Sequence, residues 1–341
     1  MLDQPAHKKL YRSLQIRGLA RMVTDFRICF APCYTHTRSL RCKCNKFDTM
    51  LGQVLVSLEN LRVLEFKCMC CSVNRNARPG RHRYLGELKN NQLKRLLLRC
   101  SCSLWPREDA ARLLTQSSMH RVTSASIGLF SPVLEDLNYL PRLERLEIHG
   151  MKTIEPLFKK KAITHLLCKS YHLDIIHHVL GDNSGILLHI SVEHLMDALP
   201  SFIKANPGLY QNLRHLGTLH FGLSEVRGLF QDHGICIYPL QFHRDSARAS
   251  MQSLSCLPHL VSIELRIMTH EGISIDQTAP HLFDDRINRQ ARGLAPIQKI
   301  YVTVVLTSSF EYSYWIWEIG SRWESRKVPG ISSWEIMNGD L

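Results

Sequence analysis

Residues 66–73 read FKCMCCSV, and Cys68, Cys70 and Cys71 fall within four positions. Closely spaced thiolates hold zinc or exchange disulfides. Related C-x-C pairs stand at Cys42 and Cys44 and at Cys100 and Cys102. Drawn together from adjacent strands, such pairs would supply four thiolates. The spacing argues against that use, because a tetrahedral ion favours C-x-x-C knuckles or longer ones. Residues two apart on a strand share a face. Cys42 and Cys44 then continue the stripe of Leu40, Cys68 and Cys70 that of Leu64 and Phe66, and Cys100 and Cys102 that of Leu96 and Leu98. On this reading the cysteines are small buried hydrophobes. No metal and no cofactor is expected.

Other reactive groups form no recognisable constellation. The chain has no phosphate-binding loop G-x-x-x-x-G-K-[ST], no G-x-S-x-G, no H-E-x-x-H and no G-x-G-x-x-G. His172, His177 and His178 lie near Asp174 in YHLDIIHHVLG. A five-residue separation does not set two ligands on one helix face. No catalytic residue is assigned, and the chain is not read as an enzyme. The run Lys159–Lys161 reads as a solvated helix end or turn.

The elements that must position these residues come from a repeat. The pattern L-x-x-L-x-x-L-x-L recurs as Leu58, Leu61, Leu64, Phe66; as Leu140, Leu143, Leu146, Ile148; as Leu257, Leu260, Ile263, Leu265; and as Leu294, Ile297, Ile300, Val302. With shorter copies included, the third apolar position falls at 14, 40, 64, 96, 125, 146, 166, 188, 219, 263 and 300. Most intervals match the 20–29 residues of a leucine-rich repeat. The alternating end of each copy is a short strand with one buried face. Stretches such as DTMLGQVLVSLENL and EDAARLLTQSS have helical character. A strand and a helix cannot bury their apolar sides alone, whereas stacked units bury a continuous core. The expected fold class is α/β: an irregular leucine-rich-repeat solenoid with parallel strands on the concave face and helices on the convex face. The array is expected over 1–307, with insertions near 226–250 and 268–290. A capping segment is expected over 308–341, where Tyr312, Tyr314 and Ile316 alternate as a final strand and Trp315, Trp317, Trp323 and Trp334 cluster.

The same register defines a second column, three residues after each anchor and on the opposite, solvent-facing side. Its members are Arg17, Lys43, Lys67, Arg99, Gly128, His149, Lys169, Ser191, Gly222, Arg266 and Thr303. Six of these eleven are Lys or Arg. Arg17, Lys43, Lys67, Arg99, His149, Lys169 and Arg266 are the candidate partner-binding residues. The partner they imply is a protein with an acidic or phosphorylated surface.

Charge supports an anionic partner. The formal net charge is +13, and residues 1–100 hold 20 Lys/Arg against 6 Asp/Glu. Such a region attracts acidic protein, nucleic acid or anionic surfaces. Nucleic-acid or anionic-surface binding by this basic third is the second function class. No apolar run approaches the roughly 18 residues that span a bilayer, so no membrane partner is expected. Twelve cysteines without a secretory signal read as reduced thiols, which places the chain in the cytoplasm or nucleus.

The segments NLRVLEF, PRLERLEI and PHLVSIEL resemble the irregular leucine-rich repeats of fungal F-box-type proteins. HKKLYRSLQIRGL resembles the first repeat of that family, and WEIGSRWESRK with SSWEIMNGDL is similar to its closing segment. The resemblance implies a non-enzymatic scaffold, the substrate-recognition part of a ubiquitin-ligase complex. It also implies a helical F-box ahead of the first repeat, which docks the ligase adaptor. The residues ahead of HKKLYRSLQIRGL are too few to hold one, so the adaptor is a partner only if an F-box stands upstream.

Overall fold

The computed structural model describes residues 12–14, 17–30, 52–68, 88, 92–100, 113–127, 139–149, 161–169, 185–192, 199–205, 207–222, 254, 256–269, 297–306, 309, 311–319 and 323–341. The chain divides into two compact units, Met1–Ala162 and Ile163–Leu341.

The first unit holds β1 (Asp25–Phe30), β2 (Val63–Cys68), β3 (Arg95–Cys100), β4 (Ser124–Ile127) and β5 (Arg145–His149). They pair in chain order and all run parallel. Phe26, Leu64, Leu96, Ala125 and Leu146 stand side by side in register. The apolar residues three and six positions earlier, Leu58 and Leu61, Leu93, Met119 and Val122, Leu140 and Leu143, are buried with them. Helices Arg17–Met22 and 52–57 precede β1 and β2 and bury Ala20, Val54 and Leu55. Strands β2 to β5 are entered in the same way, by two successive N–H groups donating to one carbonyl of the preceding rung. Arg62 and Val63 donate to Thr24, Lys94 and Arg95 to Arg62, and Thr123 and Ser124 to Lys94. This satisfies the backbone where the chain turns into the sheet.

Two expectations are corrected here. The rung beside Leu64 is DFRICF, not a strand at Leu14 or Leu40. Leu14 is helical, and Leu40 lies outside the described residues. The pattern was present as Ala20, Val23, Phe26, Ile28, but it carries no leucine. Phe30, rather than Cys42, therefore stands at the register position beside Cys68, and Cys68 pairs with Cys100. The second correction is Lys161, expected in a solvated run. It is buried, and its Nζ donates to the carbonyls of Tyr139 and Leu140. Leu140 has φ 45°, a left-handed conformation unusual for a residue with a side chain. The lysine binds the carbonyls of that turn.

The second unit holds β6 (His165–Lys169), β7 (His189–Val192), β8 (His215–Gly222), β9 (Ser262–Thr269) and β10 (Lys299–Leu306). These five are parallel neighbours in chain order. Then β11 (Glu311–Ile319) runs antiparallel to β10, and β12 (Trp323–Val328) antiparallel to β11. A closing helix, Ser333–Asn338, follows. The anchor row is Leu166, Ile190, Leu216, Ile263 and Ile300, all buried. The anchors expected at 188 and 219 thus move to 190 and 216. In β8 the register slips by one residue between Leu216 and Leu219, a bulge that a simple alternation count misses. Tyr312, Tyr314 and Ile316 do lie on a strand, β11, and β12 comes after it.

The described residues are therefore an α/β arrangement of mostly parallel strands with few helices. Residues 226–250 and most of 268–290 lie outside the described residues. Among the described residues, no helix is long and apolar enough to cross a membrane.

Candidate functional site: the polar face of the strands

Alternation gives each strand two chemically different faces. One carries the aliphatic anchors. The other carries the residues just before and just after each anchor. In the first unit these form two rows: Asp25, Val63, Arg95, Ser124, Arg145 and Arg27, Glu65, Leu97, Ser126, Glu147. In the second unit the rows are His165, His189, His215, Ser262, Lys299 and Leu167, Ser191, Gly217, Glu264, Tyr301.

The sequence-derived basic column is distributed as follows. Lys67 and Arg99 are direct register partners, with Cys29 beside Lys67. His149 ends β5 and Lys169 ends β6. Arg266 lies between His220 and Thr303, and its Nε is buried without a hydrogen-bond partner among the described residues. Arg17 opens the helix Arg17–Met22, so it belongs to no strand row. Lys43 is outside the described residues. Register sets Lys67 beside Arg99, whereas Arg17 stands on a helix outside that register.

The expectation that this face is solvent-facing is corrected beside the anchors. Glu65, Leu97, Ser126 and Glu147 are buried in the first unit, and Leu167, Ser191, Glu264 and Tyr301 in the second. In the second unit the reason is visible. The closing helix lies over β6 and β9. Ser333 Oγ donates to Glu264 Oε1 at 2.8 Å, and Ser191 Oγ donates to Glu264 Oε2 at 3.2 Å. Ile336 packs in a cluster with Tyr301 and Ile316, flanked by Val328, Ile331 and Leu341. Lys299 Nζ donates to the Leu341 carbonyl at 3.0 Å and pairs with Glu318 at 2.6 Å. Burial opposes the Lys299 charge, but the bonds to Glu318 and the neighbouring Tyr301 hold its pKa above the ordinary value. The hydrogen bond from Lys299 holds Glu318 below its own.

The histidines are the feature that sequence reasoning missed. His165, His189 and His215 occupy one register position on three neighbouring strands. The rings of His189 and His215 stack at 4.0 Å with 12° between planes, and His165 follows at 5.7 Å from His189. His215 Nδ1 lies 2.8 Å from Ser262 Oγ. Its Nε2 is buried and has no hydrogen-bond partner among the described residues. Burial pushes its pKa down to about 3, and the nearby His165 charge adds to that. Desolvation disfavours the imidazolium, and two stacked rings cannot both carry charge cheaply. The signal was in the sequence, one residue before each anchor. Anchors placed at 188 and 219 hid it.

The chemistry available follows from these values. A histidine with a pKa near 3 is too weak a base at neutral pH to activate Ser262. Among the described residues no three His, Cys, Asp or Glu side chains gather so as to hold a metal ion. Cys168 is free and fully enclosed, and burial raises its thiol pKa far above the ordinary value. It is a packing residue rather than a nucleophile. What the face offers is hydrogen bonding, charge and shape across several rungs. No protein-family model matches the chain, and no curated protein matches its sequence.

Proposed function

We propose that the chain is a non-enzymatic protein-interaction module, an irregular leucine-rich-repeat solenoid that recognises its partner along the polar strand face. The observation that carries this reading is the rung order. Successive copies of one apolar pattern stack as parallel neighbours within each unit, with the apolar anchors on one face and a mixed set, polar at most positions, on the other. An extended face assembled from many rungs suits recognition of a protein surface. The family resemblance extends the proposal to the substrate-recognition part of an F-box-type ubiquitin-ligase complex.

The adjacent Lys67 and Arg99 favour a partner with acidic or phosphorylated groups there. The test is affinity capture with the full chain after nuclease treatment, comparing wild type with the Lys67→Glu, Arg99→Glu double variant. Loss of phosphatase-sensitive protein capture in the variant supports the reading. Undiminished capture by a folded variant overturns it. Binding that disappears with nuclease and falls steeply with salt points instead to nucleic acid.

A further inference from the structure

The closing helix touches one row of the second unit's polar face, the row of Glu264, Tyr301 and Ile316. Two residues further along the strands, Arg266, Thr303 and Tyr314 stand in register on β9, β10 and β11. The row after that holds Val305 and Tyr312. Residues two apart on a strand share a face, so all of these stand on one side of the sheet. Thr303 and Val305, the short side chains on the middle strand, are buried. Arg266 and Tyr314 are partly exposed, and Tyr312 is 53% exposed. Short residues on one strand between longer ones on its neighbours form a groove one strand wide.

The two walls differ in chemistry. Arg266 is a permanent cation, and its Nε is enclosed with no hydrogen-bond partner among the described residues. An enclosed guanidinium donor without an acceptor carries a desolvation penalty that an exposed lysine does not, and an anionic acceptor relieves it. The other wall is aromatic. The Tyr312 and Tyr314 rings lie 6.3 Å apart with 12° between planes, and such rings offer broad apolar faces. The surrounding charges set the valence of the anion. Glu264 stands two residues before Arg266 on the same face and is held by Ser191 and Ser333. A dianion such as a phosphoryl group would meet one guanidinium and be repelled by that carboxylate. A carboxylate brings a single charge.

We propose that this groove takes an acidic segment of a partner protein, with an Asp or Glu carboxylate bonded to Arg266 and an apolar or aromatic side chain of the same segment packed on Tyr312 and Tyr314. This rests on the reading of the strand face as the recognition face and names the chemistry recognised at its C-terminal rungs. Neighbouring strands lie about 4.8 Å apart, so Arg266 and Tyr314 are separated by about 10 Å at the backbone. A segment crossing the strands in extended form, at roughly 3.3 Å per residue, therefore carries its acidic and apolar residues about two or three positions apart.

The experiment offers the fluorescently labelled full chain a bead-bound library of capped peptides whose positions sample Glu, Gln, phosphoserine, Phe, Leu, Lys and Ser. The wild type is expected to select Glu over Gln on the order of tenfold, with Phe or Leu two or three positions away. Arg266→Gln should lose the preference for Glu and keep that for Phe or Leu. Arg266→Lys, which keeps the charge without the planar fork, should retain part of the Glu preference. Tyr312→Ala with Tyr314→Ala should keep the Glu preference and lose the apolar one. The proposal is overturned if the wild type does not prefer Glu, or if phosphoserine is selected in its place. It is equally overturned if Arg266→Gln or Arg266→Lys, with an unchanged urea midpoint, selects as the wild type does. The Lys67→Glu, Arg99→Glu variant separates this outcome from the wider reading, because it should select as the wild type does. A Glu preference lost in that variant and kept in Arg266→Gln removes the groove and leaves the strand face as the recognition face. A Glu preference that depends on Arg266 stands even where capture through Lys67 and Arg99 fails.

Discussion

Gly217 shows how one side chain's absence sets the site. A Cβ at this position would stand 2.7 Å from Glu264 Cβ, 2.9 Å from its Oε2 and 3.1 Å from Ser191 Oγ. The carboxylate can lie between Ser191 and Ser333 only because position 217 is empty. Gly217→Ala is therefore expected to cost about 1–3 kcal/mol, read as a lower urea midpoint with unchanged slope. An unchanged midpoint would show that Glu264 moves aside freely. His215 gives a second outcome at this scale. Its folded pKa is about 3 against an ordinary 6.5, so it stays neutral in the fold while the unfolded chain gains a proton below 6.5. Stability contributed through this group is thus lost as pH falls from 6.5 towards 3, by up to about 1.4 kcal/mol per unit. The wild type should lose about 1.4 kcal/mol more than His215→Gln between pH 7.5 and 5.5. Parallel profiles in urea titrations would count against the burial argument.

The elements are short, and none is stable alone. Among the described residues, strands of four to nine residues and α-helices of at most seven gain their stability from stacking. The unit of cohesion is the rung: one anchor, the apolar residue three before it, and two N–H groups bonded to the previous rung. Leu216→Ala should then cost about 2–5 kcal/mol, since the anchor is enclosed by rungs on both sides and the cavity cannot collapse. Arg326→Ala, on exposed β12, should stay within about 0.5 kcal/mol. Equal costs in chemical denaturation would mean that the rungs are not the source of cohesion. The antiparallel pair β11 and β12 closes the second unit. Trp317 and Trp315 stand in register with Ile300 and Val302. Trp317 is buried, while Glu324, Arg326 and Lys327 on β12 are exposed. Charged side chains on such a strand discourage pairing with a further chain.

For the molecule as a whole, periodicity made most rungs legible from the sequence. The anchors at Leu64, Leu96, Ala125, Leu146, Leu166, Ile263 and Ile300 all lie on parallel strands, because three- and two-residue apolar spacing is a local property that packing preserves. The misplaced anchors have local causes as well. Phe26 replaces leucine, Ile190 follows two leucines that compete for the same role, and β8 contains a bulge. The basic column was legible only in part. Lys67 and Arg99 are neighbours because the register between β2 and β3 is regular, whereas Arg17 was assigned from a strand that is a helix. The sequence by itself therefore determined the alternation, the aliphatic face and the concentration of positive charge in the first hundred residues. Only the tertiary structure decided which polar residues meet. It stacked three histidines from separate strands, and it laid Ser333 on Glu264 across 69 positions of chain. The physical reason is that local spacing fixes the face on which a side chain stands. What comes to cover that face depends on contacts between residues far apart in the chain, and these leave no periodic signal.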